Sequence, residues 1–389
     1  MKAPPSKSAA HRALICGALA GGSRIENIDR SDDIQATERC LVALGAGLQD
    51  MGDAAIFGDF SFSDGTEVLD CGESGSTLRF LIPLCLVTGN EYVLQGSDRL
   101  MCRPMGVYED LCKERGLLFV KSGNRIRVKG PLNSGFYRVP GDISSQFISG
   151  LLFALPLLEG NSRIEIVRNL ESRSYIDLTL QMMGYFGIRW ERPAPEIILI
   201  PGGQKYSGRT IQVEGGYSNA AFFQAFNILG GKVGLTGLDA ASLQGDRVSE
   251  AMLSAIAGGT PCLDLSDCPD LAPILFAVAA AKTGACFTGT ERLRLKESDR
   301  VEAMQEELAK FGVLLETKCN SVTVTGSGLK RPRDVLWGHN DHRVIMALSV
   351  LCTVTGGVIE GAEAVRKSLP DFFERLCSLG IQVRKEEQP

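Results

Sequence analysis

The sequence predicts an α/β protein of two lobes, each an inside-out barrel of three βαβαββ repeats with helices buried and sheets outside. Three observations predict it. First, a polar starter, an apolar helix ending at Gly and a short strand recur six times along the 389 residues. Counted from Ser8, Ser76, Ser145, Ser218, Asp270 and Asp341, the steps are 68, 69, 73, 52 and 71 residues. A regular step is the mark of a repeat architecture, here longer than the common solenoid periods. Second, the first helix of each copy is apolar nearly all round, which predicts burial. Third, a one-sided amphipathic helix follows each copy, and after most of these comes a Gly-rich hairpin.

The copies run in order. Ser6-Lys7-Ser8 opens HRALICGALAGG, and SRIENI follows. Ser74-Gly75-Ser76-Thr77 opens LRFLIPLCLVTG, before EYVLQG. Ser144-Ser145-Gln146 opens FISGLLFALPLLEG, before SRIEIV. Tyr217-Ser218-Asn219 opens AAFFQAFNILGG, before KVGLTG. Pro269-Asp270 opens LAPILFAVAAAKTG, before ACFTG. Asn340-Asp341-His342 opens RVIMALSVLCTVTGG, before VIEG. The second helices are predicted to begin near Asp32, Arg103, Tyr175, Asp246, Ser298 and Ser368. NRIRVKG and NSVTVTG read as hairpin strands. The short step after Ser218 predicts that the fourth copy lacks its hairpin, around Gly258-Gly259-Thr260-Pro261.

Composition sets limits. The chain is 44% hydrophobic and 22% charged, with a net charge of −5. That excludes a non-specific nucleic-acid binder, which needs a basic excess to neutralise phosphates. No run of 18 apolar residues and no charged-then-apolar leader is present, so a cytoplasmic protein without a membrane partner is expected. The 12 Cys include no C-x-x-C pair. Cys16, Cys85, Cys286 and Cys352 lie in apolar stretches and read as small core residues, with reduced thiols as the default. His339 and His342 are three apart, but no nearby Cys completes a zinc set.

Cations sit where helices begin. Lys7, Arg12, Arg79, Arg103, Arg300, Arg343 and Lys367 all fall at or near predicted helix starts. There they oppose the helix dipole at about 0.3–1 kcal/mol each. A chain that repeatedly accepts that cost is expected to bind anions at those ends. The densest stretch is Arg294-Leu295-Lys296-Glu297-Ser298-Asp299-Arg300. Val301, Met304, Leu308 and Phe311 recur behind it at helical spacing, and Ser298 or Asp299 is the expected N-cap. Alone, each starter reads as a simple cap. Gly72-Glu73-Ser74-Gly75-Ser76-Thr77 lacks the lysine of a phosphate loop.

Taken in order, the motifs Pro5-Ser6-Lys7-Ser8, Ser31-Asp32-Asp33, Arg103-Pro104, Ser144-Ser145-Gln146, Tyr175-Ile176-Asp177, Pro269-Asp270, Lys296-Glu297-Ser298-Asp299-Arg300, Asn340-Asp341-His342-Arg343 and Pro370-Asp371 span essentially the whole chain. Together they resemble the EPSP synthase (3-phosphoshikimate 1-carboxyvinyltransferase) family. The resemblance implies one lobe from residues 1–4 and 216–389 and another from 5–215, with crossings near Pro5 and near Glu214-Gly215-Gly216. It implies transfer of the enolpyruvyl group of phosphoenolpyruvate to the 5-hydroxyl of shikimate 3-phosphate, with release of phosphate. It implies an aromatic-biosynthesis enzyme without metal or organic cofactor, acting as a monomer.

Site residues carry over by position. Lys7, Ser8, Arg12, Ser144, Ser145, Gln146, Ser172, Tyr175, Asp270 and Lys296 would meet shikimate 3-phosphate. Lys7, Gly75, Arg103, Gln146, Arg300, Arg343 and Lys367 would meet phosphoenolpyruvate. Arg suits such work because its planar fork meets carboxylate and phosphate oxygens in pairs. The chemistry needs one proton taken from the attacking hydroxyl and one given to the enol methylene. Asp270 is the expected base and Glu297 the expected acid, with Lys7 neutralising the departing oxygen. Lys296 and Arg300 beside Glu297 favour its ionised form, so bound anion and desolvation on lobe closure are expected to return its proton.

Four departures from the family pattern predict a weakened site. The chain begins close to Lys7, where the family usually has a preceding strand, so either a truncated start or another strand filling the gap is expected, since an exposed strand edge there would be a liability. Gly216 stands where Asp is common, Glu73 where Asn is common, and Arg292 where some members use Asn. Gly75 is compatible with sensitivity to the inhibitor glyphosate. The alternative of a UDP-N-acetylglucosamine enolpyruvyl transferase fits less well, because Cys102 is adjacent to Arg103 rather than a few residues before it. An RNA-terminal phosphate cyclase type of enzyme conflicts with the charge of −5. A non-catalytic repeat scaffold would not need Asp270 and Glu297 beside the cation set.

Overall fold

The computed structural model describes residues 1–326 and 328–386. Positions 387–389 of the expected C-terminal lobe lie outside the described residues. The chain is a mixture of helices and small sheets in two compact units. One is Pro5–Glu214 with Ala241–Gly245; the other is Met1–Pro4, Gly215–Ala240 and Asp246–Pro389. The sequence had assigned 241–245 to the C-terminal lobe. They group instead with 5–214, where Ser6 Oγ donates to Gln244 Oε1 at 3.1 Å.

In the first unit the elements are α1 (Lys7–Ala20), β1 (Ser23–Glu26), α2 (Asp32–Leu44), β2 (Ala46–Asp50), β3 (Ala54–Phe60), β4 (Val68–Asp70), α3 (Gly75–Cys85), β5 (Glu91–Gln95), α4 (Asp98–Cys102), α5 (Gly106–Glu114), β6 (Leu118–Ser122), β7 (Arg125–Lys129), β8 (Phe136–Pro140), α6 (Ser145–Ala154), β9 (Ser162–Val167), α7 (Arg173–Tyr185), β10 (Glu191–Ala194), β11 (Ile197–Ile200) and β12 (Thr210–Gln212). They form sheets β12-β1-β3-β2, β4-β5-β7-β6 and β10-β11-β9-β8. In each, one terminal pair is parallel and the other two pairings are antiparallel. A parallel pair needs a crossover; α3 supplies it between β4 and β5 and α6 between β8 and β9, whereas β12 returns beside β1 from the far end of the unit. The core gathers Ala9–Ala10 and Ala13–Cys16 of α1 with Leu78, Phe80–Ile82 and Leu84–Cys85 of α3 and Phe147–Ile148 and Leu151–Ala154 of α6.

The second unit holds α8 (Tyr217–Ile228), α9 (Ser249–Gly258), β13 (Cys262–Asp264), α10 (Ala272–Ala281), β14 (Gly284–Thr288), α11 (Arg300–Lys310), β15 (Leu315–Lys318), β16 (Ser321–Thr325), β17 (Leu336–Trp337), α12 (His342–Thr355), β18 (Ile359–Glu360) and α13 (Phe372–Ser378). Sheet β13-β14-β16-β15 repeats the same pairing pattern; β17 and β18 form a parallel pair. Every residue of α10 from Ala272 to Ala280 is buried, because an all-apolar helix has no face to offer water.

Local chemistry sets several helix ends. The Ser6 side chain accepts from Ala9 N, Ser144 from Gln146 N and Asp341 from Arg343 N. Of the two caps expected before α11, Asp299 is the one used; it accepts from Val301 N and Glu302 N. α2 stops at Gly45, which is left-handed at φ 116°, and a Cβ there would lie 1.8 Å from Ser61 O. Three expectations are corrected. Arg103 does not open a helix: Arg103-Pro104 links α4 to α5, whose N-cap is Met105. Asp246 lies in a 3₁₀ turn, Gly245–Val248, ahead of α9. KVGLTG forms no strand of its own. Thr236 makes only an isolated parallel bridge to Lys2, with Ala3 N donating to Thr236 O at 2.9 Å. α9 runs to Gly258 and β13 follows from Cys262 without an intervening hairpin. No helix among the described residues is long and apolar enough to cross a membrane.

Candidate active site

The predicted site residues fall into both units. In the second, three cationic side chains converge on Asp270, which sits in the 3₁₀ turn Pro269–Leu271 ahead of α10. Arg300 Nη1 donates to Asp270 Oδ1 at 2.9 Å, Arg343 Nη2 to Oδ2 at 3.1 Å, and Lys296 Nζ lies 3.6 Å from Oδ1. Burial pushes this carboxyl up. Arg343, Lys296 and Arg300 together outweigh burial and hold it well below the usual carboxylate range.

Arg300 is itself held from behind. Its Nε donates to Asp341 Oδ2 at 2.9 Å, and the two side chains are 2% and 0% exposed. Asp341 Oδ1 also caps α12 through Arg343 N at 2.9 Å. Ser298 Oγ donates to Asp341 Oδ2 at 3.0 Å. One carboxylate therefore fixes the angle of Arg300 and the start of the helix carrying Arg343. Glu297 Oε2 lies 2.8 Å from His342 Nδ1, and Lys367 Nζ donates to Asn340 O at 2.7 Å. His339 and Asn340 both have positive φ, 49° and 52°, in the turn leading to this cap. Arg292, one of the departures, donates from Nη2 to Ser266 O at 2.9 Å, bracing the segment before Asp270.

In the first unit, the start of α1 carries Lys7, Ser8 and Arg12. Lys7 Nζ lies 2.6 Å from Asp33 Oδ2. Arg12 donates to Thr179 Oγ1 at 2.8 Å, to Ser8 O at 2.7 Å and to Tyr175 O at 3.0 Å, and burial lowers it to about 10. Its guanidinium lies 5.9 Å from the Tyr175 ring centroid. Ser172 precedes α7 in a left-handed conformation, φ 51°. Gln146 is gripped at both ends: Arg79 Nη1 donates to its Oε1 at 2.7 Å, and its Nε2 donates to Ser76 Oγ at 3.0 Å. Arg79 Nη2 also donates to Pro104 O at 2.9 Å, tying the Arg103 linker to α3. Ser145 is buried beside the Ser144 cap. Gly75 opens α3 directly beneath Arg103.

Two groupings offer three metal-type ligands each among the described residues: Glu297, Asp341 and His342, and Glu306, Glu307 and His339. Both are already committed to protein donors. Asp341 serves Arg300 and Ser298, and Glu307 takes Lys310 Nζ and Trp337 N.

Sequence reasoning missed Asp246, Asp33 and the pairing of His342 with Glu297. The Asn-Asp-His-Arg motif carried a signal for His342, since it directly follows the cap Asp341. Asp246 carried none, because its importance lies in a neighbour distant in sequence. It is 4% exposed, and burial, then the charge of Asp270, push it up to about 6 against the pull of Arg343 and Lys296. The unfolded carboxyl titrates near pH 4. The native state therefore holds the extra proton, and stability falls as pH rises from about 4 to about 6. Asp246→Asn is expected to gain about 3 kcal/mol at pH 8 and almost nothing below pH 4. Urea unfolding at the two pH values checks this; an equal gain at both would refute it.

The sequence pattern of the family described as EPSP synthase (3-phosphoshikimate 1-carboxyvinyltransferase) matches residues 1–260 and 258–376. The chain belongs to the EPSP synthase family. It is 40% identical over 408 residues to a 3-phosphoshikimate 1-carboxyvinyltransferase of Clostridium kluyveri, covering 98% of this chain and 95% of that protein. It is 39% identical over 411 residues to one of Clostridium acetobutylicum, covering 99% and 96%. A solved structure of EPSP synthase from Acinetobacter baumannii matches with a TM-score of 0.72 at 23% identity, covering 98% of this chain and 95% of that one. At that identity the likeness speaks for the EPSP synthase fold alone.

Proposed function

We propose that this protein transfers the enolpyruvyl group of phosphoenolpyruvate to the 5-hydroxyl of shikimate 3-phosphate, releasing phosphate, in the cytoplasm and without a metal or organic cofactor. The observation that carries the reading is the convergence of Arg300, Arg343 and Lys296 on Asp270. The finer architecture goes with it: six βαβαββ repeats, three in each lobe, with sheets outside buried helices. The pairing pattern shared by the four-stranded sheets supports it.

Asp270 occupies the guanidinium forks as an anion of the protein's own. Phosphoenolpyruvate, carrying carboxylate and phosphate, competes for Arg300 and Arg343, joined by Lys367 and Arg103. Once the forks turn to substrate, the cations no longer hold Asp270 so low, and its basicity rises toward what the hydroxyl requires. The hydroxyl oxygen then bonds to C2 of the enol while Glu297, oriented by His342, gives a proton to the methylene. The tetrahedral adduct next returns a methyl proton to the Glu297 carboxylate as the C–O bond to phosphate breaks, with Lys7 neutralising the departing oxygen. Ser144, Ser145, Gln146, Ser172, Tyr175, Ser8 and Arg12 hold shikimate 3-phosphate.

Gly75 gives a local test of the phosphoenolpyruvate site. A Cβ there would lie 2.3 Å from Arg103 Nη1 and 2.8 Å from Cζ. Those atoms are the end of a flexible side chain, so Gly75→Ala is expected to fold and to displace the guanidinium. The expected result is a KM for phosphoenolpyruvate raised about tenfold, a loss of about 1.4 kcal/mol, with kcat little changed. An unchanged KM would remove Arg103 from the site.

The deciding assay is phosphate release from phosphoenolpyruvate with shikimate 3-phosphate, run beside UDP-N-acetylglucosamine. Release only with shikimate 3-phosphate is expected. Release only with the sugar nucleotide, or silence in both from folded protein, would overturn the assignment.

A further inference from the structure

The outer face of the sheet in the second unit carries a pair of thiols that the proposed reaction does not use. β13 and β14 run parallel, with Cys262 opposite Cys286, Leu263 opposite Phe287 and Asp264 opposite Thr288. Side chains alternate along a strand, so Cys262, Cys286, Asp264 and Thr288 share one face while Phe287 turns into the core. Opposed side chains on this face reach each other: two residues further along, Thr288 Oγ1 donates to Asp264 Oδ1 at 3.4 Å. The contact with Cys286 raises the Cys262 thiol above its ordinary value. Adjacent strands lie about 4.8 Å apart, within the roughly 4.4–6.8 Å that a disulfide spans between Cα atoms.

Access separates this pair from another. Cys40 Sγ and Cys71 Sγ lie 3.9 Å apart, yet both are wholly buried, which denies an oxidant a path. Cys262, on the edge strand β13, is exposed, and Cys286 on the neighbouring β14 is half-buried.

We propose that Cys262 and Cys286 form a thiol–disulfide site, closed to a cross-strand disulfide by a low-molecular-weight disulfide such as oxidised glutathione. The Cys262 thiolate attacks one sulfur of the small disulfide, breaking its S–S bond and releasing one small thiol. The Cys286 thiolate then attacks the Cys262 sulfur and displaces the second small thiol. Two protein thiols are oxidised to one disulfide, the small disulfide is reduced to two thiols, and the two protons pass to those thiols. The bond joins the strand that runs into Asp270 to the strand that runs into Lys296 and Glu297. It ties an edge strand to its neighbour and closes a loop in the unfolded chain, so the oxidised protein melts several degrees higher.

The test treats the full chain with oxidised glutathione, blocks remaining thiols with an alkylating reagent and maps peptides with and without reductant. The expected product is a peptide pair joined through Cys262 and Cys286, two hydrogens lighter than the separate peptides and released by dithiothreitol. Cys286→Ser is expected to leave Cys262 carrying one glutathione, and Cys262→Ser to give no cross-link. A stable glutathione adduct on Cys262 without cross-linking in the unsubstituted chain would overturn the proposal. So would modification confined to the exposed Cys102, Cys319 and Cys377. Mapping the unsubstituted chain decides the matter even where a serine variant folds poorly.

Discussion

Replacing Asp270 with Asn is expected to lower kcat by about 10²- to 10⁴-fold, the range that a positioned proton acceptor contributes. The KM for phosphoenolpyruvate is expected to stay level or fall. Asp270 binds the same guanidinium forks that the substrate must claim, at 2.9 and 3.1 Å, and its charge competes with the incoming anion. Asn keeps the shape and removes the competition. A structural role alone would raise KM and lower stability together, because Arg300 and Arg343 would lose an anion and gain nothing. Steady-state kinetics with both substrates varied separates the two. Near-normal turnover in Asp270→Asn would end its role as base, and Glu297→Gln tests the acid in the same assay. Glu297→Gln also leaves a hydrogen-bonding partner for His342, so any loss of rate reports the missing proton.

The second large effect is expected at Asp341. Removing one member of a buried ion pair strands the other charge, at about 3–5 kcal/mol. Asp341 and Arg300 are 0% and 2% exposed, so water cannot rescue the guanidinium. Asp341→Ala also deletes the α12 cap, about a further 1 kcal/mol. In a unit of this size such a loss lowers Tm by roughly 10 °C or more. Asp341→Asn keeps a good cap and removes only the charge, so its melting point is expected between the two. The same pair sets an acid limit. Burial pushes both carboxyls up, yet both are held below the ordinary carboxylate value: Asp341 by Arg300 and then His342, Asp270 by Arg343, Lys296 and Arg300. Their contribution is therefore full above about pH 4 and is lost as pH falls below it through the folded values. Asp341→Ala is expected to flatten that acid limb. An unchanged limb would place the acid sensitivity elsewhere.

Several helix starts, and much of what they carry, can be read from local sequence. Ser6, Ser144, Asp299 and Asp341 were legible as caps because capping is local: an oxygen meets an amide two or three residues on. The burial of α10 was legible because no polar residue interrupts its apolar run. Family membership was legible because ordered motifs span the whole chain. Tertiary structure alone decided which charges meet. Nothing local to Asp341 says that it holds Arg300, 41 residues away, and nothing local to Asp246 says that Asp270 lies beside it. It also moved Arg103 out of a helix start and into a linker beneath which only Gly75 leaves room. Pairing of distant charges depends on how buried helices pack end to end, and packing is a property of whole surfaces. Periodicity reports which face of a helix is buried, but not what that face will meet.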